Sequence, residues 1–210
     1  MAIPIIGWAV GALVAAAAAA GYKMWSDNED SSNSNENKKC EYDPTIIIGL
    51  QGSGKTHLAN WLAHHKLLVE YIPTDYKMNI NNFMDCSGHY EDAHYWENDI
   101  RDNKNIFYLF DLKKYIEKYS ISNEEYNNVV VNQVSFLTEY LTKKDSFKSK
   151  KIIIIGTHLD KIDNNKAQQI VSELKSKISL GNAKILYGSL DNEANASKVE
   201  EKIINALKEF

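Results

Sequence analysis

The sequence is poor in three features that mark particular classes of protein. It has only two cysteines in 210 residues, Cys40 and Cys86, which argues against a disulfide framework and favours a reducing compartment for the folded part. Its net charge is −4, so it lacks the basic field typical of nucleic-acid binding, and we expect no nucleic-acid partner. His64, His65 and His94 show no metal-ligand spacing, so we interpret them as surface or helix residues.

The N-terminal segment lacks charge altogether. Residues 3–22, IPIIGWAVGALVAAAAAAGY, carry no charged side chain over 20 residues, about the length that a helix needs to cross a bilayer core. We therefore predict a transmembrane or signal-anchor helix within residues 1–25, with Trp8 and Trp25 near its two ends, where interfacial aromatics tend to lie. A cleaved signal peptide is the alternative, although no Lys or Arg precedes the apolar run.

The residues around this span predict its orientation. Lys23, Lys38 and Lys39 follow it and no basic residue precedes it, so the positive-inside tendency places the rest of the chain in the cytosol and predicts a single-pass membrane protein. Gly7 and Gly11 form G-x-x-x-G, a spacing that permits a homodimer through one helix face. An Ala- and Gly-rich helix also shows this spacing by chance.

The remaining chain divides into a linker and a folded domain. Residues 26–42 are mostly Ser, Asn and charged residues, which predicts a polar flexible linker before a domain at residues 43–210. Within that domain, strands are predicted at residues 45–50, 81–86, 105–112, 151–155 and 183–188. Helices are predicted at residues 56–68, 122–141, 163–178 and 197–210, with capping boxes at Ser122/Glu125 and Ser197/Glu200 and an N-cap at Asp163.

The strands read as unbroken apolar runs, which is typical of strands buried on both faces. We therefore predict an α/β fold with a mostly parallel sheet and helices on both faces. Ligands in such folds bind beyond the carboxyl ends of the strands. Functional residues should therefore follow the strands directly.

The first strand ends in GLQGSGKT, residues 49–56, which matches G-x-x-x-x-G-K-[ST] between a strand and a helix. Such a P-loop wraps phosphates with its backbone N–H groups, while Lys55 reaches the β- and γ-phosphates and the Thr56 hydroxyl binds Mg²⁺. The residues that we assign to phosphate binding are Gly49, Gln51, Gly52, Ser53, Gly54, Lys55 and Thr56.

A second cluster, DCSGH, follows the next apolar strand. Asp85 lies 29 residues after Thr56 and is predicted to hold Mg²⁺ through water, while Gly88 offers its N–H to a γ-phosphate. Thr74, in YIPTDYK, is predicted to complete the metal's ligand shell from a mobile loop. Only ten residues, 75–84, separate these features, so a hairpin here must be abbreviated or one strand lost.

Together with THLD at residues 157–160 and YGSLD at residues 187–191, these motifs occur in the order of the five nucleotide motifs of Ras-like small GTPases. The resemblance covers residues 45–210. It implies a P-loop NTPase three-layer sandwich with a six-stranded sheet, GTP or GDP with Mg²⁺ as ligands, and two switch-loop states. The IPT sequence is similar to Arf-like GTPases, the N-terminal anchor to the signal-recognition-particle receptor β subunit, and THLD to Roc domains. The effector, exchange factor and activating protein are unspecified.

The resemblance also assigns the base-binding residues. Asp160 would accept two N–H bonds from guanine, a donor pair that adenine lacks, and Thr157 would tie its loop to the P-loop. His158 stands where the family usually carries Lys over the base plane. Ser189 and Leu190 match the last motif, whose backbone supports the guanine oxygen.

Two residues of the pattern bear on hydrolysis. His89 stands where many relatives carry Gln to orient the attacking water, so His89 and Lys55 are the predicted catalytic residues; a surface role for His89 is the alternative. Arg101 is the only arginine, so no cis-arginine finger is evident and hydrolysis should be slow without an activator. We expect a membrane-anchored GTPase, with two alternatives: a non-hydrolysing GTP-binding receptor or scaffold subunit, or a P-loop ATPase or kinase, which Asp160 argues against.

Overall fold

Runs of isoleucine form the centre of the molecule, because β-branched side chains favour the pleated, buried surface of a strand. The computed structural model describes residues 42–69, 77–88, 93–121, 124–140 and 143–210. TIIIG forms strand β1 (Thr45–Gly49) and KIIIIGT forms strand β7 (Lys151–Thr157), and nearly every residue of both is buried. Strands buried on both faces need helices on both sides.

The main sheet has six strands in the order β2-β3-β1-β4-β7-β8. All neighbouring strands are parallel except β2 and β3, which are antiparallel, so the predicted α/β architecture with a mostly parallel sheet is confirmed. The other strands of the sheet are β2 (Lys77–Ile80), β3 (Phe83–Cys86), β4 (Asn105–Asp111) and β8 (Lys184–Tyr187). A separate two-stranded hairpin is made by β5 (Ser120–Ile121) and β6 (Glu124–Glu125).

The helices alternate with the strands. They are α1 (Lys55–His64), α2 (Glu97–Asp102), α3 (Leu112–Ile116), α4 (Tyr126–Ser135), α5 (Asn164–Lys177) and α6 (Glu193–Lys208). A 3₁₀ turn, Ala93–Trp96, leads into α2, and a π-helical turn, Phe136–Tyr140, continues α4. Two further 3₁₀ turns, Asp145–Phe147 and Leu159–Lys161, flank β7.

Successive side chains of each strand point to opposite faces of the sheet, and different helices cover the two faces. Ile46 and Ile48 belong to a buried cluster with residues of α2, α4 and α5, for example Ile100, Val130 and Ile170. On the opposite face, α1 and α6 contact each other and the central strands. The domain therefore has three layers, with the sheet in the middle.

The short segment before β3 forms an abbreviated hairpin. Strands β2 and β3 have four residues each, and Asn81 and Asn82 join them. Asn81 has a φ of 52°, the left-handed conformation that Asn tolerates in tight turns. Of the two outcomes predicted for residues 75–84, the structure thus has the shortened hairpin with both strands retained.

Two predicted helix starts are wrong. Glu125 is extended and pairs with Ser120 in the β5–β6 hairpin, so α4 begins at Tyr126 and not at residue 122. The last helix begins at Glu193, because the Asn192 side chain accepts a hydrogen bond from the Asn195 N–H and caps the helix before Ser197 is reached. Both capping-box predictions therefore fail as helix starts, and Ser122 itself lies outside the described residues.

Other helix limits agree with the sequence or fall short of it. The Asp163 carboxylate accepts a hydrogen bond from the Lys166 N–H at 2.9 Å, which confirms Asp163 as the N-cap of α5. Helix α1 ends at His64 and not at residue 68, because His65 turns into the left-handed region with a φ of 51°. These differences change helix ends and leave the order of elements intact.

The predicted anchor at residues 1–25 and almost all of the linker at residues 26–42 lie outside the described residues. The described residues all fall within one compact unit, Cys40–Phe210. Among them, no helix is both long enough and apolar enough to cross a bilayer.

Candidate functional site

The carboxyl ends of the parallel strands meet at one edge of the sheet, where they surround a cavity of about 300 Å³. Its lining combines residues that follow β1, β3, β7 and β8. They are Gln51, Gly52, Gly54, Lys55, Thr56, His57, Gly88, Thr157, His158, Asp160, Lys161, Leu190 and Asp191. The structure thus brings most of the predicted site residues together, and Ser53, Asp85 and Ser189 lie behind the lining, in contact with it.

Residues 49–56, hereafter the glycine loop, form one wall of the cavity. Gly49, Gly52 and Gly54 all have positive φ angles, of 131°, 74° and 85°. A Cβ on Gly49 would lie 2.0 Å from the Leu109 carbonyl oxygen, so only glycine allows β1 to turn this close to β4. The turn leads directly into α1 and presents that helix's N-terminus to the cavity.

Lys55 places a cation on the floor of this loop. Its side chain is 6% exposed, and its Nζ donates a hydrogen bond to the Leu50 carbonyl at 3.0 Å. Burial lowers the pKa of Lys55 to about 8, although the nearby Asp85 carboxylate acts in the opposite direction. A buried ammonium group is costly unless anions approach it, so the cavity favours an anionic ligand at this point.

A hydroxyl and a carboxylate lie together beside the lysine. The Thr56 Oγ1 donates to Asp85 Oδ2 at 2.7 Å, and Asp85 is fully buried at the end of β3. Oxygen donors of this kind suit Mg²⁺, which usually binds one or two protein oxygens together with phosphate oxygens and water. Among the described residues, no group of three or more His, Cys, Asp or Glu side chains gathers to hold a metal alone.

Gly88 closes this side of the cavity. A Cβ on Gly88 would lie 2.5 Å from the Gln51 backbone nitrogen and 2.6 Å from Lys55 Nζ. A side chain at this position would collide with the glycine loop. The backbone following β3 is therefore able to approach the loop only because residue 88 is glycine.

Thr157 joins the two halves of the site. Its buried hydroxyl lies 2.9 Å from the Ser53 carbonyl and 3.0 Å from the Phe110 carbonyl and shares its proton between them. The end of β7 is thereby fixed to both the glycine loop and β4. The predicted tie between Thr157 and this loop is present.

His158 makes a second connection to the glycine loop. Its backbone has a φ of 58°, and its Nε2 lies 3.1 Å from the Gly52 carbonyl oxygen and 3.7 Å from Asp111 Oδ2. A carbonyl only accepts hydrogen bonds, so Nε2 carries the proton in this contact. The imidazole therefore connects the β7 end to the loop by its polar edge.

Two carboxylates meet at one hydroxyl on the far side of the cavity. Ser189 Oγ lies 2.5 Å from Asp160 Oδ1 and 2.5 Å from Asp191 Oδ1, but its single proton serves one acceptor at a time. Asp191 has further donors in the side chains of Asn195, at 2.9 Å, and Asn192, at 2.8 Å. The hydroxyl and these amides lower the pKa of Asp191, so it stays ionised at neutral pH.

Three lining residues were missed by the sequence reasoning: His57, Lys161 and Asp191. Each directly follows an assigned residue in the chain, and this adjacency was the only available signal. Burial lowers the pKa of His57, which favours its neutral form. Two predicted site residues, Thr74 and His89, lie outside the described residues, so their roles stay predictions.

Comparison with known protein families finds no family model that matches the chain, and no curated protein sequence matches it either.

Proposed function

We propose that this chain is a membrane-anchored guanine-nucleotide-binding protein of the Ras-like small-GTPase type, with a P-loop NTPase fold, which hydrolyses GTP slowly to GDP. Residues 3–22 would anchor it and residues 43–210 would lie in the cytosol. One observation carries the proposal: the Thr157 hydroxyl bonds to Ser53, and so holds the loop of Asp160 against the loop of Lys55 around one cavity.

The glycine-loop side suits a polyphosphate. The loop's backbone N–H groups and the N-terminus of α1 offer donors and a positive dipole end to phosphate oxygens. Lys55 adds a nearly dehydrated cation next to them, and such a charge acts more strongly than one in water. Binding phosphate would also relieve the cost of burying the Lys55 ammonium group.

Thr56 and Asp85 suit the magnesium ion that accompanies such phosphates. Their oxygens are already in contact at 2.7 Å, and Thr74 is the further ligand predicted from the sequence. A bound Mg²⁺ would neutralise part of the phosphate charge. The Thr56 hydroxyl and the Asp85 carboxylate, the latter through water, would hold the ion at the end of β3.

The Asp160 side suits a guanine base. The Ser189 hydroxyl orients the Asp160 carboxylate from 2.5 Å. Guanine presents two adjacent N–H donors to such a carboxylate and adenine does not, so adenine would leave the carboxylate unpaired. Ser189 and Leu190 would support the guanine oxygen through their backbone.

A single-turnover assay on the full chain in detergent micelles tests this function. We expect GTP to be hydrolysed slowly and ATP not measurably. Replacing the proposed water-orienting residue, His89→Ala, should slow hydrolysis at least about tenfold, by loss of a group that positions water. His65→Ala, an exposed histidine at the end of α1, is the matched control and should leave the rate unchanged.

The outcomes separate the candidate functions. Tight GTP binding with no hydrolysis would favour the non-hydrolysing receptor or scaffold subunit. Hydrolysis of ATP at the rate of GTP would contradict a guanine-specific site. For the anchor, deletion of residues 1–25 should move the protein from the membrane to the soluble fraction, and continued membrane association would show that another segment binds the membrane.

A further inference from the structure

A second lysine lies against the glycine loop from outside the predicted motifs. Asp111 ends β4, and its carboxylate accepts hydrogen bonds from the N–H groups of Lys113 at 2.8 Å and Lys114 at 3.1 Å. This cap starts α3 immediately at the end of the strand. It brings Lys114 to the loop, where its Nζ donates to the Gln51 carbonyl at 3.2 Å.

The Lys114 ammonium group is close to the part of the loop that faces Gly88. A Cβ on Gly52 would lie 3.0 Å from Lys114 Nζ, and a Cβ on Gly88 would lie 2.5 Å from the Gln51 nitrogen. Lys114 and Gly88 therefore contact the same short stretch of loop, Lys114 at the carbonyl of Gln51 and Gly88 at its nitrogen. Gly88 is the residue whose N–H is predicted to bind a terminal phosphate.

Nothing anionic in the described part of the chain neutralises Lys114. Its Nζ forms no ion pair with a described carboxylate and lies 5.4 Å from the centroid of the Tyr119 ring. The preceding Lys113, by contrast, lies 3.7 Å from Glu117. Burial is the main cause of the lowered pKa of Lys55, and repulsion from the Lys114 charge also lowers it. Two lysines thus contact one loop: Lys55 lines the cavity, whereas Lys114 lies outside the lining at the Gln51 carbonyl. A phosphate that both ammonium groups reach would relieve their repulsion.

We propose that Lys114 binds the terminal phosphate of GTP and stabilises the charge that develops on it during hydrolysis, a role that rests on the proposed function. Lysine suits it because its flexible stem lets the ammonium group exchange one carbonyl contact for a phosphate oxygen. Cations supplied at this phosphate are a main source of rate in GTP hydrolysis. Arg101 cannot supply one, because its carbonyl accepts from Lys150 beside the amino ends of β4 and β7, at the opposite edge of the sheet.

The test is Lys114→Gln in the full chain, since glutamine keeps an N–H donor for Gln51 and removes the charge. Binding of GDP and of a non-hydrolysable GTP analogue is measured, together with single-turnover GTP hydrolysis. We expect the preference for the GTP analogue over GDP to fall about fivefold or more and hydrolysis to slow about 10- to 100-fold. Lys114→Arg should restore most of both, and Lys113→Gln should change neither.

The proposal is overturned if Lys114→Gln changes neither the nucleotide preference nor the rate of hydrolysis. This includes the case in which neither the variant nor the unsubstituted protein hydrolyses GTP and the preference is unchanged. An equal loss of GDP and GTP-analogue affinity would also overturn it, because Lys114 would then not distinguish the terminal phosphate. Nucleotide binding by the unsubstituted protein distinguishes failure of the Lys114 proposal from failure of the proposed function. If it binds no guanine nucleotide at all, the proposed function fails and the role of Lys114 fails with it.

Discussion

The two ends of the cavity are built in different ways. The glycine loop is continuous in sequence, turns on three glycines with positive φ and holds Lys55 almost completely buried. The opposite end is assembled from the ends of β7 and β8, and its central contact joins two side chains, Asp160 and Ser189. Backbone geometry therefore determines the end at the glycine loop, which we propose binds phosphate and call the phosphate end. Side-chain contacts between distant segments determine the opposite end, which we propose binds the base and call the base end.

The end of the cavity around Asp160 has two features of its own. His158 stands where the Ras-like motif that the sequence resembles usually has lysine, and Asp191 brings a second carboxylate to the Ser189 hydroxyl beside Asp160. His158 bonds to Gly52 and Thr157 bonds to Ser53, so the end of the cavity at β7 is fixed to the glycine loop. We infer that changes at the base end alter the choice of base, while changes at the phosphate end affect binding whichever base the nucleotide carries.

The largest effect is expected from removing the buried cation at the phosphate end. Lys55→Met should weaken binding of both GDP and the GTP analogue by roughly 1,000-fold, because phosphate oxygens would be desolvated without a charged partner. Titration with a fluorescent GDP analogue measures this. Lys66→Met, at an exposed lysine after α1, is the control and should bind normally. Equal affinities of the two variants would contradict the role of Lys55.

The next effect concerns the base end alone. Asp160→Asn should weaken GDP binding about 100-fold, since the amide replaces one acceptor by a donor that faces a guanine N–H. The same change should improve binding of xanthosine diphosphate, whose carbonyl can accept from that amide. Competition titrations measure both. Asp163→Asn is the control because asparagine also caps helices, and a similar loss in it would show that Asp160 does not read the base.

A pH series probes the phosphate end without mutation. Lys55 has a pKa of about 8 in the ligand-free protein, and only its protonated form attracts phosphate. Affinity for GDP should therefore be constant below pH 8. Above pH 8 it should fall, by up to about tenfold per pH unit, because a proton must then be taken up on binding. Lys55→Met should lose most of this dependence, and the remainder should come from ionisation of the guanine N1–H. An affinity that rises from pH 8 to pH 9.5 would contradict the assignment.

The smallest effect is expected at the connection between the two ends. His158→Ala removes the contact with the Gly52 carbonyl and should weaken GDP binding about two- to tenfold, the usual range for one neutral hydrogen bond. His65→Ala is a matched control, since both histidines have left-handed backbones. A loss as large as that of Asp160→Asn would mean that His158 contacts the base directly.

The sequence predicted the arrangement of the glycine loop better than that of the opposite end of the cavity. The loop is continuous in sequence, whereas the opposite end is assembled from distant segments. The strands β1 and β7 and the glycine loop follow from local residue patterns, and their order places Thr157 against Ser53. Asp191 was not assigned, although it ends the YGSLD motif, because its side-chain contacts with Ser189, Asn192 and Asn195 leave no pattern in the sequence.

Helices α2 and α3 were also missed. They have six and five residues, too few to show an apolar period, and α3 depends on the Asp111 cap. No sequence pattern therefore pointed to Lys114. Arg101 is the only arginine that could have supplied a catalytic cation, whereas the fold places a lysine at the glycine loop. Short capped helices at strand ends thus contribute site residues that sequence periodicity does not reveal.

We propose that one cavity binds both the polyphosphate and the guanine base of a nucleotide. This proposal is tested most directly by displacing a fluorescent GDP analogue from the full chain, in Mg²⁺ at pH 7, with unlabelled GDP or ADP. We expect ADP to need at least about 100-fold higher concentration than GDP, because adenine leaves the Asp160 carboxylate unpaired. Displacement by ADP at a concentration comparable to that of GDP would contradict it.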